Sequence, residues 1–556
     1  MKRYYRLLIL LVMPALLFVA VLPLMPLMDP DEGRYALIPR EMNERGDYVT
    51  PHLKGVVYLE KPPLGYWFTA FFFRVLGENE ITARLATGLS AWGLVILLYV
   101  IGRTLRNEEM GLLAAAVFSV SLLPFSLARI NILDVPLTLF LSLAVWCGYR
   151  SFRSEKKRLW LYGMYFFSSC AFLTKGLIGL VFPFTICGLW LGWEKRWREL
   201  PALFSPVGFV IVCLFIGPWL WAVQKANPDF FEFFFWREHL LRYTTYIHEK
   251  GQPFYFFLPI LLAGALPWWF YLPRVFNRED MRSIWEAIKR KSFLKLLVVW
   301  ILFPFFFFSL SSSKLIPYIL PIFPPLAVFL AWLFLNGREK TNSERKLDGW
   351  PALQSVLFMV LVFAPFFVPD WKDILPLPWI YYAIPVIIQA FIMLFDISIK
   401  ESDLTNRYIR AYFGYALFLM AILPVVSHYL TPVKSAYQLA QAVKRYVPEG
   451  EPLCQLRTSM YSLDFYTRRR TALVDELGEL APGVKKLAPE ERRRYFPTGS
   501  EFLTEVRKKG ALYAVADRKE HWMWLTKEGM GIKLLWENKK FYMFQVWDRK
   551  KGEGAS

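Results

Sequence analysis

Uncharged apolar runs of roughly 17–25 residues, the length needed to cross a bilayer, recur along this chain and restrict its fold more than any other feature. Thirteen are legible, at about 7–28, 84–102, 109–127, 132–149, 159–174, 176–193, 204–224, 255–273, 294–312, 315–336, 352–369, 376–396 and 409–430. A soluble chain of 556 residues would divide into several domains of ordinary composition, whereas this one is 55% hydrophobic and 18% aromatic. The expected fold is an α-helical polytopic membrane protein. Proline and glycine inside several runs predict kinks, which are tolerable where neighbouring helices cover the freed backbone.

The formal charge of +20 would suggest nucleic acid in a soluble protein. Its distribution points instead to membrane orientation, with no nucleic-acid partner. One alternating set of connections holds 27 Lys and Arg, while the alternate short ones hold only four: Arg129, Lys175, Lys314 and Lys372. The basic set belongs in the cytoplasm. With thirteen spans the N-terminus is then inside and the C-terminus outside. Lys2, Arg3 and Arg6 before the first run resemble the start of a signal peptide, but no small-x-small cleavage site follows, so a retained first helix is expected. Four of the five cysteines lie in apolar runs and only Cys454 does not, which leaves no disulfide framework and no Cys/His metal pattern.

Three longer segments fall outside: 29–83, 225–254 and everything after 430. Residues 1–430 are expected to form the transmembrane domain and 431–556 a small α/β domain. In the latter, "ALYAVAD" and "FYMFQVW" read as strands and "SAYQLAQAVKRYV" as an amphipathic helix.

The outer segment 29–83 mixes acids, bases and aromatics, and its middle suits short amphipathic helices on the membrane surface. Elsewhere the outer face carries few charges, and ionisable groups at membrane depth default to functional sites. A single lysine there is more often a snorkelling anchor. Together, however, Arg34, Lys61, Lys175 and Lys314 supply cations near one face, and Asp31, Glu60 and Asp134 supply anions. Such a set suits a phosphorylated lipid: cations for the phosphate, a greasy groove for the tail, and a carboxylate for chemistry.

In order along the chain, "DPDEGRYALIPREM", "GDYVTP", "YLEKPPLGYW", "ARINILDVPLTLF", "LTKGLIGLVFP" and "SSSKLIPYILPIFPPLA" resemble the bacterial lipid A aminoarabinose transferases. These are polyprenyl-phosphate-sugar-dependent glycosyltransferases related to the protein O-mannosyltransferases. The resemblance covers about residues 1–340 and implies a C-type glycosyltransferase fold. It implies catalytic roles for Asp31, Glu60 and Asp134, and carrier-phosphate contacts by Arg34, Lys61, Lys175, Lys314 and Tyr318. Asp29 and Glu32 are expected to be solvated or to cap a helix beginning near Glu32. No essential metal is expected; the weak alternative that the resemblance brings is a divalent ion, zinc, held by Glu60 and His239, with His248 nearby in the same outer segment.

The resemblance further implies transfer of 4-amino-4-deoxy-L-arabinose from undecaprenyl phosphate to a lipid A phosphate, on the periplasmic side of the bacterial inner membrane. Related enzymes glycosylate a protein or glycan hydroxyl instead. A lipid-linked sugar transporter is the competing class, but internal repeats and midplane charges, common in transporters, are not evident. A Gly-rich nucleotide-binding turn is also absent, which fits a lipid-linked donor.

Overall fold

The computed structural model describes residues 6, 8–241, 252–274, 278–337, 350–367, 374, 376–398 and 404–549. Each of the thirteen apolar runs is helical over most of its described length. Among the described residues, five helices are long and apolar enough to cross a membrane: Glu80–Leu105, Trp197–Ala226, Ser292–Leu310, Ile316–Asn336 and Tyr408–Lys434. The other runs give helices that are shorter, broken or charged toward an end.

The first run forms α1 (Leu8–Leu24). The segment after it folds as α2 (Asp31–Arg45), a hairpin of β1 (His52–Leu53) and β2 (Val56–Val57), and α3 (Leu64–Leu76). There follow α4 (Glu80–Leu105), α5 (Glu108–Val120), α6 (Leu122–Leu127), α7 (Asp134–Ser151), α8 (Lys157–Lys175), α9 (Ile178–Trp193) and α10 (Pro206–Ala226). The series continues with α11 (Phe257–Gly264), α12 (Ser292–Leu310), α13 (Phe323–Gly337), α14 (Trp350–Val362), α15 (Ile380–Ser398) and α16 (Leu404–Lys434).

Breaks follow proline. The third run splits at Ser121 because Pro124 lacks the N–H that an unbroken helix would direct at Val120. The amide of Leu122 donates instead to the Leu266 carbonyl at 3.0 Å, so a neighbouring segment satisfies the freed backbone. α4 and α5 approach closely where Gly102 meets Gly111. A Cβ on Gly102 would lie 2.7 Å from the Gly111 backbone, so a larger residue would force the helices apart.

α2 starts with Asp31 and Glu32 in its first turn, where negative charge suits the helix dipole, and stops at Gly46, whose φ of +68° favours glycine. α3 buries Tyr66, Ala70 and Phe73 and leaves Phe71, Val75 and Leu76 uncovered. That one-sided face is what an interfacial helix requires.

Beyond α16 the chain forms α17 (Tyr437–Tyr446), β3 (Leu453–Leu456), α18 (Tyr461–Thr467), β4 (Ala472–Val474), α19 (Gly499–Lys509), β5 (Ala511–Ala516), β6 (Met530–Glu537) and β7 (Tyr542–Asp548). The five strands make one sheet in the order β4-β3-β5-β7-β6. β3 runs parallel to both β4 and β5, while β7 is antiparallel to β5 and β6. The expected helix and both expected strands are present. α16 continues to Lys434, so the first residues after 430 finish a helix rather than open the sheet unit.

The sheet unit is seated on the segment between α1 and α4. Tyr466 Oη accepts from the Leu27 amide at 2.7 Å, and Arg40 donates to the carbonyls of Asp464 and Phe465 at 3.3 and 3.1 Å. Lys54, fully enclosed, pairs with the Asp464 carboxylate and donates to Thr471 Oγ1 at 2.9 Å. Gly33 lies so close to the Ser462 backbone that a Cβ there would sit 2.4 Å from its nitrogen. These contacts fix the start of α2, and with it the charged residues discussed next.

Candidate active site

Four charged residues leave the first span together, and their environments differ sharply. Asp29 accepts from the Ser462 amide at 2.7 Å and from the Ser462 hydroxyl, and its burial pushes the carboxyl up to about 7. Glu32 is 1% exposed and forms a bidentate pair with Arg84 at 2.6 and 2.7 Å. It also accepts from the amides of Asn131 and Met28 at 2.8 and 2.9 Å. The expectation that Asp29 and Glu32 are solvated or capping is therefore corrected: Asp29 is partly buried and Glu32 fully, and each is bonded to a distant element. Glu32 is in the first turn of α2, but its oxygens are spent on Arg84, because an unpaired buried arginine would cost several kcal/mol. Asp31 is the exposed member, with 54% of its side chain accessible, and it pairs with Arg34.

Arg34 is the hub of this end of the site. Its guanidinium donates to Asp31, to Glu479 and, at 3.2 Å, to Tyr58 Oη. It also lies over the rings of Tyr35 and Tyr58, 5.1 and 5.9 Å from their centroids. Tyr58 Oη in turn donates to Glu60 at 3.0 Å. Glu479 accepts from Tyr461 Oη at 3.3 Å, and burial holds its carboxyl above the ordinary range. Burial also raises Tyr58 and Tyr35, which therefore stay phenolic at neutral pH.

Next to Glu60 in sequence, Lys61 donates to the Glu60 carbonyl at 3.1 Å and reaches a cavity of about 460 Å³. Asp134, Lys175 and Tyr318 line the same cavity. Lys175, the last residue of α8, donates to Asp134 at the start of α7 at 2.6 Å, and its Nζ sits 4.8 Å from the centre of the Tyr318 ring. Phe182, Phe235, Phe307, Phe308, Leu137 and Ile178 make the remaining wall mostly apolar. The cavity thus has a polar end with two lysines and a greasy body, the form needed for a phosphate on a hydrocarbon chain.

Lys314 is not brought to that wall. Its Nζ donates to the carbonyls of Ser311 and Gln252 at 2.7 and 2.9 Å, and Ser311 and Ser313 line the cavity in its place. The side chain of His239, and His248 entirely, lie outside the described residues. Among the described residues no group of three or more His, Cys, Asp or Glu side chains is placed to hold a metal. Glu60 accepts from the Tyr58 hydroxyl, and the His239 side chain, the other half of the zinc pair entertained for it, lies outside the described residues.

Two acids of the site escaped sequence reasoning. Glu238 lines the cavity, one residue from the histidine that drew attention; an acid within the aromatic outer segment "FEFFFWREHL" was the available signal. Glu479 reaches Arg34 from 445 residues away in the sheet unit, and nothing local marks it.

Residues 60–221 match the family described as dolichyl-phosphate-mannose-protein mannosyltransferase. An undecaprenyl phosphate-alpha-4-amino-4-deoxy-L-arabinose arabinosyl transferase of Pectobacterium carotovorum is 35% identical over 349 residues, 62% of this chain and 61% of the relative. The match thus spans about three-fifths of that relative's length. One of the same description from Shewanella sediminis is 29% identical over 486 residues, covering 84% of this chain and 86% of the relative. The crystal structure of ArnT from Cupriavidus metallidurans bound to undecaprenyl phosphate superposes with a TM-score of 0.81 at 21% identity, covering 98% of each chain. The fold is accordingly that of a multi-pass membrane glycosyltransferase of the C type. In sequence, the chain is similar to the bacterial aminoarabinose transferases, and in fold to ArnT.

Proposed function

We propose that this protein transfers 4-amino-4-deoxy-L-arabinose from undecaprenyl phosphate to a phosphate of lipid A, inverting the anomeric carbon. The observation that carries the reading is the cavity whose polar end gathers Lys61, Asp134, Lys175 and Tyr318 above apolar walls. The activity named for the relatives supports the identity of sugar and carrier. The protein lies in the bacterial inner membrane with the chamber on the periplasmic side. Residues 1–430 form the membrane domain, with 29–83 as its first periplasmic loop, and residues 431–556 form a periplasmic domain.

In this mechanism an oxygen of the acceptor phosphate forms the new bond to the anomeric carbon as the bond to the carrier phosphate breaks. The electron pair departs with the carrier, where negative charge grows. Lys61 and Lys175 stabilise that charge more in the transition state than in the ground state. A phosphomonoester with a second pKa of about 6 is largely ionised at neutral pH, so no proton need leave the nucleophile. Asp31 then orients the acceptor or steadies positive charge at the anomeric centre, with Arg34 and Glu479 fixing its position. Asp134 holds Lys175 toward the carrier phosphate, and Glu60 anchors the loop that carries Lys61.

The test is mass spectrometry of lipid A from cells with and without the chain. A pentosamine on phosphate that depends on the chain supports the reading; unchanged lipid A contradicts it.

A further inference from the structure

The turn that leads into Asp134 holds two polar residues that this mechanism leaves unused. Arg129 and Asn131 are 8% and 4% exposed. Nε and Nη1 of Arg129 and Nδ2 of Asn131 are enclosed and have no hydrogen-bond partner among the described residues. The guanidinium lies on the Phe125 ring, 3.3 Å from its centroid, a contact that favours the charge but leaves those donors unsatisfied. The charge that acts on it is another cation, Arg84, already matched by Glu32. Burial and Arg84 together push Arg129 down to about 9. A cation held this way is unfavourable unless an anion completes it, and guanidinium and carboxamide N–H groups suit phosphate oxygens.

The position agrees with the chemistry. The Asn131 amide donates to Glu32 at 2.8 Å, so the turn abuts the first turn of α2, beside Asp31. Three residues on, Asp134 meets Lys175 in the cavity. One short turn therefore lies between the donor cavity and the start of α2. Transfer between two phosphorylated lipids requires two phosphates near one anomeric carbon, and Lys61 and Lys175 serve only one.

We propose that Arg129 and Asn131 hold a phosphate of the acceptor lipid while Lys61 and Lys175 hold that of the donor, an inference that rests on the transfer reading above. The experiment uses the full-length protein in nanodiscs of zwitterionic lipid, with donor and acceptor varied separately. Arg129→Gln should raise the acceptor KM tenfold or more and leave the donor KM within twofold, and Arg129→Lys should recover part of the loss. Asn131→Asp is isosteric and adds a repelling charge, so it should also raise the acceptor KM, and it keeps the test open if Arg129→Gln fails to fold. A donor KM that rises as much as the acceptor KM overturns the inference, as do two unchanged KM values in a folded variant. A bilayer phospholipid as the occupant would leave both KM values unchanged while phosphatidylglycerol stabilised wild type and not Arg129→Gln; that outcome also overturns it. Wild type that transfers nothing overturns the transfer reading itself and this inference with it, whereas transfer with the variants unaffected overturns the inference alone.

Discussion

Glu479, in the sheet unit, accepts a hydrogen bond from the guanidinium of Arg34, near the exit of the first span. The same guanidinium holds Asp31 and Tyr58, so the C-terminal unit supplies one wall of the charged cluster rather than an accessory to it. Glu479→Gln keeps the shape and removes the charge. A charge-assisted bond is worth about 1.5–3 kcal/mol, so steady-state kcat/KM should fall about 10- to 100-fold with the unfolding midpoint nearly unchanged. Unaltered kinetics in a folded variant would reduce Glu479 to a packing contact.

The seat of the sheet unit depends on a buried ion pair between Lys54 and Asp464. Removing one partner of such a pair strands the other, at a cost of about 3–5 kcal/mol. Lys54→Ala should therefore destabilise the protein strongly, and protease should reach residues 461–475 in the detergent-solubilised variant. Replacing both residues by apolar ones of similar size should recover most of that loss. Wild-type protease resistance in Lys54→Ala would contradict the assignment.

Asp29 gives the same contact a pH dependence. Burial raises its carboxyl from the ordinary Asp range to about 7, so between about pH 4 and 7 the folded state holds a proton that the unfolded state has lost. Stability from this residue is then highest at low pH and falls as pH rises toward 7, levelling above it. The protection factor of the Ser462 amide, the intrinsic exchange rate at the same pH relative to the observed one, should fall from pH 5 to pH 8. Asp29→Asn, which imitates the protonated form, should flatten that profile and leave transfer nearly intact; a profile that persists in Asp29→Asn would assign it to another group.

The cavity proposed for the donor makes a different demand. Lys175 bonds Asp134 at 2.6 Å and reaches over Tyr318. Lys175→Ala and Lys61→Ala should each lower kcat/KM for the lipid-linked donor by about 10- to 100-fold, at about 1.5–3 kcal/mol per charged contact. Lys314→Ala should have a smaller effect on donor kinetics, because its ammonium is engaged by the carbonyls of Ser311 and Gln252. Equal donor defects in all three variants would show that Lys314 swings to the phosphate.

Much of this arrangement was legible in the chain. Apolar length located the helices because lipid demands internally satisfied backbone over a fixed thickness, and strand alternation located β5 and β7. The sequence motifs brought Lys61, Asp134, Lys175 and Tyr318 to one cavity. What local sequence could not convey was pairing at long range. Asp29, Asp31 and Glu32 look alike in "DPDEGRY", yet one faces Ser462, one solvent and Arg34, and one Arg84. Those fates are decided by α4 and α18, which no spacing within the motif encodes. Glu479 was invisible for the same reason, since its partner is 445 residues away.

The most direct test of transfer at this site uses purified protein, undecaprenyl-phosphate-linked 4-amino-4-deoxy-L-arabinose and lipid A, with the product read by mass spectrometry and the anomeric configuration by NMR. Wild type should yield lipid A carrying one added pentosamine on phosphate with the anomeric configuration inverted, and Asp31→Asn should yield none while still binding donor. Product of retained configuration, or full transfer by Asp31→Asn, would contradict the account.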